Sequence, residues 1–270
     1  MRPFRRSGTW SGVVVLIALV CLLDSRYIAE RIAYGQWLAN LLMIAAFVWI
    51  HRDAPPRLKL LMQNGLLVAV LGEVFFSLVV GMYEYRLANV PIYVPPGHSI
   101  LYAAVFYFVR EPWVMRNKGW IGPLMLTVGV GYSAFWLVTR NDVYGAVCTA
   151  LYVYLIWRFQ DSRMFFLAMF ILVGYLEQVG TGFGCWVWPA AIFDKFEFIP
   201  SGNPPSGISV FYFGFDVACL DILCTRLPLL AKRHQRLKSR LDEMFKPKPR
   251  PEATGEGIPA QQGAGLSLPE

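Results

Sequence analysis

The chain has 270 residues, of which 56% are hydrophobic and 16% are charged, and its formal net charge is +7. Soluble domains contain about 25% charged residues, so the composition argues against a soluble globular protein. The positive charge alone would suit a nucleic-acid-binding protein, but the basic residues alternate with hydrophobic segments in the way that membrane topology requires. We therefore predict no nucleic-acid partner.

Eight hydrophobic segments follow one another along the chain. Stretches of about 18 or more apolar residues predict transmembrane helices, because about 20 residues cross a hydrocarbon core of about 30 Å. Four segments reach that length and four are shorter or interrupted, and in chain order they cover residues 10–23, 34–50, 60–82, 97–109, 120–138, 144–157, 164–184 and 208–229. We predict an all-α polytopic membrane protein with about eight spans.

The lysines and arginines predict how these spans are oriented. With the N-terminus inside, nineteen of them fall on the inner side of the membrane and five on the outer side. Cytoplasmic loops are enriched in Lys and Arg because these residues resist translocation. The pattern predicts a multi-pass protein of a bacterial inner membrane with both termini in the cytoplasm. The basic start and apolar middle of the first segment also fit a signal peptide, but no small-residue cleavage site follows.

One motif occurs twice in the sequence. Glu73 corresponds to Glu177, and the Gly-x-Tyr-x-Tyr sequence that begins at Gly81 corresponds to the Gly-x-Trp-x-Trp sequence at Gly184. A Pro-Pro loop follows each copy, and the spacing from Glu to Gly differs by one residue. Four spans separate the copies, so we predict two halves of the same orientation, as in the parallel duplications of some transporters.

The repeat and the composition divide the chain into four parts. The first membrane half covers residues 1–118 and the second covers 119–230. A basic amphipathic helix is predicted at 231–246, and a Pro- and Gly-rich cytoplasmic tail at 247–270 is predicted to be disordered, because it has too few bulky apolar residues to fold.

Three acidic residues are predicted to share one chamber in the outer half of the bilayer. Glu73 and Glu177 each lie about 20 Å from the inner end of their span at helical rise, and Asp216 reaches a similar depth in the last span. A charge at mid-bilayer costs about 2.5–3.5 kcal/mol and normally faces a cavity or a partner. A neutral carboxylic acid beside an ionised one is a general acid and base pair. Alternatively, each Glu is protonated and hydrogen-bonded to a backbone carbonyl, or to Ser77 or Thr181.

His98 is the one histidine assigned to the outer side of the membrane. It follows Pro95-Pro96-Gly97, which break helix regularity and expose backbone groups that only a protein-lined cavity can satisfy. We expect it either to move protons and bind substrate or to cap a helix at the interface. The chain contains no His-x-x-x-His and none of the common cofactor signatures, so we predict no metal and no cofactor.

Several further residues are candidates for binding the substrate. The aromatic pairs could contact it, or they could form an interfacial belt without a function. Asn203 could hydrogen-bond within its loop, and Arg86 could bind an anionic head group or pair with Glu84. The candidates are Tyr83, Tyr85, Trp186, Trp188, Asn203 and Arg86.

The five cysteines include no Cys-x-x-Cys pair. Four of them lie in predicted spans, where cysteine usually acts as a small apolar residue. Cys185 lies near the outer face without an obvious partner. The spacing predicts neither a disulfide framework nor a zinc site.

Two family resemblances are carried by these motifs. NVPIYVPPGH and GNPPSG resemble a motif pair of bacterial polytopic membrane proteins without an established activity, over roughly residues 60–222. The pattern of Glu73, Gly81, Tyr83 and Tyr85 is similar to that of membrane carotenoid hydratases. Those enzymes add water across an isoprenoid double bond, so the resemblance implies protonation of an apolar substrate by a buried acid.

Together these features predict an acid–base enzyme that acts on an apolar, lipid-like or isoprenoid-like substrate. Glu73 and Glu177 would be proton donor and acceptor, assisted by His98 and Asp216. The alternatives are a proton-coupled transporter, in which the same acids bind and release protons, and a non-catalytic subunit of a membrane complex. Membrane lipids and an apolar small molecule are the expected partners, and no protein partner is indicated.

Overall fold

The computed structural model describes residues 8–212 and Ser239. Eight α-helices form most of this part of the chain, with a π-helix at Val74–Val79 and a 3₁₀ turn at Gln160–Ser162. The α-helices are α1 (Thr9–Leu23), α2 (Arg26–Ala29), α3 (Gly35–Asp53), α4 (Pro56–Glu73), α5 (Val94–Phe108), α6 (Pro112–Arg140), α7 (Val143–Arg158) and α8 (Arg163–Gly182). The predicted helical fold is thus confirmed.

Three stretches of helix are long and apolar enough to cross a membrane, namely Leu61–Val79, Pro112–Arg140 and Arg163–Gly182. The apolar helices Thr9–Leu23 and Val143–Arg158 are shorter. Helices occupy seven of the eight predicted hydrophobic segments. The eighth, 208–229, lies almost entirely outside the described residues, as do the amphipathic segment and the tail, so eight spans stays a prediction.

Helix α5 lies at the centre of the described bundle. It packs against α1, α3, α4 and α8, and every residue from Ser99 to Tyr107 is buried. A helix that is apolar on all sides is stable only when protein or lipid surrounds it. Its interior position explains why the corresponding hydrophobic segment is short, because neighbouring helices cover it along its length.

The predicted boundary between the two halves falls within a helix. Helix α6 begins at Pro112, where the missing N–H of proline costs nothing because the first helical N–H groups have no partner within the helix. The predicted boundary between residues 118 and 119 therefore lies inside α6. The connection between α5 and α6 is the short loop at 109–111.

Short strands cover the end of the bundle where α4 and α8 finish, which we call the strand end. Strand β1 (Glu84–Tyr85) pairs antiparallel with β2 (Trp186–Val187), and β3 (Ala191–Ile192) pairs with β4 (Phe196–Pro200). Gly81 and Gly184 precede β1 and β2 with φ of +66° and +71°. Glycine adopts this left-handed backbone without the steric cost that a Cβ imposes, so both turns require it.

The π-helix explains the unequal spacing of the repeated motif. It begins directly after Glu73 and covers Val74–Val79. A π-turn hydrogen-bonds residue i to i+5 and so holds one residue more than an α-turn. The Val80 N–H donates to the carbonyl of Phe75 at 2.9 Å in this pattern. The extra residue between Glu73 and Gly81, compared with Glu177 and Gly184, lies in this wide turn.

Candidate functional site

Both predicted glutamates line the same cavity. Glu73 is the last residue of α4 and is 5% exposed, and Glu177 lies in the last turns of α8 and is 6% exposed. The cavity has a volume of about 120 Å³. Most of its other lining residues are apolar or aromatic, among them Val13, Leu16, Ile17, Val20, Val68, Phe76, Leu101, Leu176, Ile208 and Phe211.

Two phenol groups and an imidazole surround the Glu73 carboxyl. The hydroxyls of Tyr83 and Tyr85 both donate to its Oε2, each at 2.7 Å. Nε2 of His98 lies 3.5 Å from its Oε1. Burial of a carboxylate is costly unless its oxygens are hydrogen-bonded, and these contacts supply that stabilisation.

Two indole groups hold the Glu177 carboxyl in the corresponding way. Nε1 of Trp186 donates to its Oε2 at 2.9 Å, and Nε1 of Trp188 donates to the same oxygen at 3.1 Å. Gly180, one turn along α8, leaves space for the Trp186 ring, since a Cβ at this position would overlap it. The four aromatic residues are therefore hydrogen-bond donors to the two acids and not merely an interfacial belt.

His98 is oriented by its own helix. Its Nδ1 lies 3.0 Å from the carbonyl oxygen of Val94, which can only accept, so Nδ1 carries a proton and donates. Nε2 then faces Oε1 of Glu73 at 3.5 Å. The imidazole stacks on the ring of Tyr212 with centroids 4.7 Å apart. This geometry places an imidazole nitrogen beside the Glu73 carboxyl.

The aromatic rings of the two motifs contact each other between the acids. The centroids of Tyr83 and Trp188 are 4.6 Å apart, and those of Tyr85 and Trp186 are 6.0 Å apart. The backbone beneath them forms the β1–β2 pair. Both glutamates and their donors thus belong to one continuous group of side chains.

The two tyrosine hydroxyls remain protonated donors. Burial raises the pKa of Tyr83 and of Tyr85 well above the usual range of a phenol, and the adjacent Glu73 carboxylate raises both further. A phenol in this position donates to the carboxylate but can also pass a proton through its oxygen. The indoles at Glu177 have no such capacity, because an indole nitrogen only donates.

Other predicted residues lie away from the cavity. Arg86 donates through its guanidinium to Oδ1 of Asp24 at 2.6 Å and does not pair with Glu84. Oδ1 of Asn203 accepts from the Trp188 N–H at 3.0 Å and so fixes the loop that carries this indole. Asp216 lies outside the described residues.

The hydroxyls proposed as alternative partners of the acids bond to the backbone instead. Ser77 donates to the carbonyl of Tyr83 at 3.4 Å, and Thr181 donates to the carbonyl of Glu177 at 2.7 Å. Neither reaches a carboxyl group. Among the described residues no three His, Cys, Asp or Glu side chains come together in a way that would hold a metal ion.

Sequence reasoning missed a second pair of buried acids, of which Asp24 is the first. Asp24 is fully buried where α1 ends. It accepts from Arg86, from the Tyr93 hydroxyl at 2.9 Å and from the Gln36 amide at 3.3 Å. It thereby anchors both ends of the segment between β1 and α5.

Asp142 occupies the corresponding place after α6 and is also fully buried. Its carboxylate accepts from the backbone N–H groups of Gly145 at 3.0 Å, Gly202 at 2.8 Å and Ser206 at 2.7 Å. It anchors the Asn-Pro-Pro loop as Asp24 anchors the loop of the first motif. In the sequence each acid lies just beyond the first hydrophobic segment of its predicted half, a position that does not by itself indicate burial.

Comparison with protein-family models, with curated proteins and with solved structures finds no match. The function is therefore argued from the geometry of the site itself.

Proposed function

We propose that this protein is an acid–base enzyme of a bacterial inner membrane that acts on an apolar, isoprenoid-like substrate. The observation that carries this proposal is that two buried carboxyl groups, each held by two aromatic donors, line one largely apolar cavity. A polar substrate would leave its hydrogen-bonding groups unpaired against such a lining. An apolar substrate loses nothing there, and the carboxyls can act on it.

We further propose eight spans in two related halves, with the strand end facing outward. The register of β1 and β2 supports the two halves, because Glu84 lies opposite Val187, which is its counterpart in the repeated motif. Such a register is expected when equivalent strands pair across a local two-fold axis. The matching φ of Gly81 and Gly184 supports the same relation.

The Glu73–His98 pair is the proton donor in this proposal. The π electrons of a substrate C=C bond take the proton held between Oε1 of Glu73 and Nε2 of His98, so a C–H bond forms and the neighbouring carbon becomes a cation. The pair is left with one proton fewer. Hydrogen bonds from Tyr83 and Tyr85 stabilise the Glu73 carboxylate that remains.

The Glu177 side completes the reaction. Its carboxylate and the faces of the surrounding aromatic rings attract the cation. Either a water molecule adds to the cation and gives its surplus proton to Glu177, or a neighbouring C–H bond breaks, its proton passes to Glu177 and a shifted double bond results. Atoms and charge balance in both outcomes, which are hydration and isomerisation.

The length of the cavity suits a chain-like molecule. Its lining includes α1 residues from Val13 to Val20, and seven residues at helical rise cover about 10 Å. The acids and their donors lie towards the strand end of this lining. An apolar chain lying along α1 would bring one end to the two carboxyl groups.

Transfer of deuterium from water to carbon tests the proposed enzymatic activity. The purified protein is reconstituted into vesicles of its native lipids supplemented with linear isoprenoid alkenes and incubated in D₂O. Mass spectrometry of the extracted lipids is expected to find a species with carbon-bound deuterium, or with added D₂O, that is absent from protein-free vesicles and from the Glu73→Gln variant. No difference between these samples would overturn the proposal.

The same vesicles distinguish a proton-coupled transporter. A pH-sensitive dye trapped inside them reports proton flux. Flux that is abolished by Glu73→Gln, without any carbon-bound deuterium in the wild-type sample, would contradict the enzyme and favour transport.

A further inference from the structure

Two cysteines that are distant in sequence meet at the strand end. Cys21 lies in the last turn of α1 and is 2% exposed, and Cys185 follows Gly184 and is fully buried. The Sγ of Cys185 donates to the carbonyl oxygen of Cys21 at 3.1 Å. Hydrogen bonding with Cys21, followed by burial, raises the pKa of Cys185 well above its usual range.

Backbone hydrogen bonds hold the two segments in this position. The Arg26 N–H donates to the carbonyl of Phe183 at 3.2 Å, and the Arg86 N–H donates to the carbonyl of Cys185 at 2.8 Å. A disulfide needs Cα atoms about 4.4–6.8 Å apart and side chains directed at each other. The Cys185 Sγ lies 3.1 Å from the Cys21 carbonyl oxygen, and the Arg26–Phe183 bond joins the two segments two residues away from Cys185, so the cysteines meet the requirement of proximity.

We propose that Cys21 and Cys185 form a disulfide bond in the mature protein. The positive charges predict that the strand end faces the outer side of the membrane, where disulfides form and persist. The oxidant is a protein disulfide of that compartment. One thiolate of the pair attacks this disulfide and forms a mixed disulfide with the oxidant. The second thiolate attacks the cysteine sulfur of the mixed disulfide and displaces the oxidant, which leaves as two thiols that hold the two electrons and two protons.

The bond forms while the chain is folding. Both thiols are inaccessible in the folded protein, so the oxidant reaches them before α1 and the segment of Trp186 close together. The crosslink then ties the end of α1 to the segment that supplies the indole donors of Glu177. It constrains the unfolded chain over a long loop, where disulfides are expected to stabilise most.

Counting thiols tests this proposal without any assumption about catalysis. The full-length protein is purified from membranes, denatured in sodium dodecyl sulfate and alkylated with a maleimide, before or after reduction. The chain has five cysteines. Intact mass is expected to show three labels without reductant and five after reduction, and peptide mapping is expected to show Cys21 linked to Cys185.

Variants provide matched controls. Cys185→Ser is expected to give four labels with or without reductant, because Cys21 loses its partner. Cys148→Ser is expected to give two labels without reductant and four after reduction. Protein from a host that lacks the extracytoplasmic thiol oxidase is expected to give five without reductant. Five labels in the wild-type protein from an oxidising host, or a link from Cys21 to any other cysteine, would overturn the proposal, whatever the outcome of the deuterium experiment.

Discussion

The two glutamates occupy equivalent places but have different partners. Glu73 is held by two phenol hydroxyls and faces an imidazole, whereas Glu177 is held by two indole N–H groups. A hydroxyl both donates and accepts, and an indole N–H only donates. Where the first copy has Gly97-His98-Ser99, the second has Gly207-Ile208-Ser209, and Ile208 also lines the cavity.

This difference shows how two copies of one motif can have different roles in one reaction. The surroundings of Glu73 can pass a proton, because phenol hydroxyls and an imidazole can each donate and accept one. Among the described residues, the groups that hold the Glu177 carboxyl are indole N–H groups, which stabilise its negative charge and cannot themselves accept a proton. In the proposed reaction the first motif therefore supplies the proton and the second stabilises the cation.

The largest effect is expected when the proton donor is removed. Glu73→Gln keeps the shape of the side chain but cannot release a proton to carbon. We expect deuterium transfer to fall by about one hundred- to ten-thousand-fold, which is the usual contribution of a general acid. The measurement is carbon-bound deuterium by mass spectrometry, and the control is Glu84→Gln, whose side chain is exposed on β1.

The corresponding change at Glu177 sharpens the contrast between the two acids. Glu177→Gln leaves the proton donor intact, so we expect reversible deuterium exchange to persist while net formation of product is lost. Equal loss of exchange in both variants would contradict the division of roles.

A second large effect is expected from the buried acids that anchor the loops. Asp24→Asn leaves the Arg86 guanidinium without its charged partner, and breaking such a pair typically costs about 3–5 kcal/mol. Asp142→Asn affects only neutral N–H donors, for which about 1–3 kcal/mol is usual. Unfolding in mixed detergent micelles measures both, with the exposed Asp194→Asn as control. A larger loss of stability for Asp142→Asn than for Asp24→Asn would contradict the assigned partners.

Removing a single hydrogen-bond donor to one of the glutamates is expected to reduce turnover by an intermediate amount. A hydrogen bond to a charged group contributes about 1.5–3 kcal/mol, so Trp188→Phe is expected to slow net turnover by about ten- to one-hundred-fold. Tyr83→Phe is expected to cost less, because Tyr85 and His98 remain at Glu73. The exposed Trp157→Phe is the control for the loss of an indole. The reverse order would show that Glu73 depends more on its donors than Glu177 does.

The smallest effects are expected from the two hydroxyls that bond to the backbone. Ser77→Ala and Thr181→Ala remove no hydrogen bond from either carboxyl. We expect turnover to stay within about two-fold of wild type, since the lost bonds are local and neutral. A loss comparable to that of Trp188→Phe would show that these hydroxyls reach the acids during the reaction.

The repeated motif allowed the centre of the site to be predicted from the sequence. An acid in an apolar segment must face a cavity or a partner, and its recurrence before a second aromatic pair indicated that both acids belong together. Spacing alone could not show that the aromatic rings turn back to donate to the acids. The same residues suit an interfacial belt, and only the β1–β2 contact brings them over the cavity.

The loop anchors and the cysteine contact could not be predicted in this way. Asp24 accepts from residues 62 and 69 positions away in the chain. An acid at the end of a hydrophobic segment is usually solvated at the interface, so nothing local to Asp24 indicates burial. The partner of Arg86 was missed for the same reason, because Asp24 lies 62 positions away at the end of α1.

The wide turn after Glu73 keeps the aromatic donors directed at the Glu73 carboxyl. Each residue added to a regular α-helix rotates the following part of the chain by about 100° about the helix axis. Such a rotation would turn Gly81 and the two tyrosines away from the Glu73 carboxyl. The turn at Val74–Val79 takes up that residue as a local change of pitch. The first motif thus differs in length from the second, and its carboxylate still accepts from both of its aromatic donors.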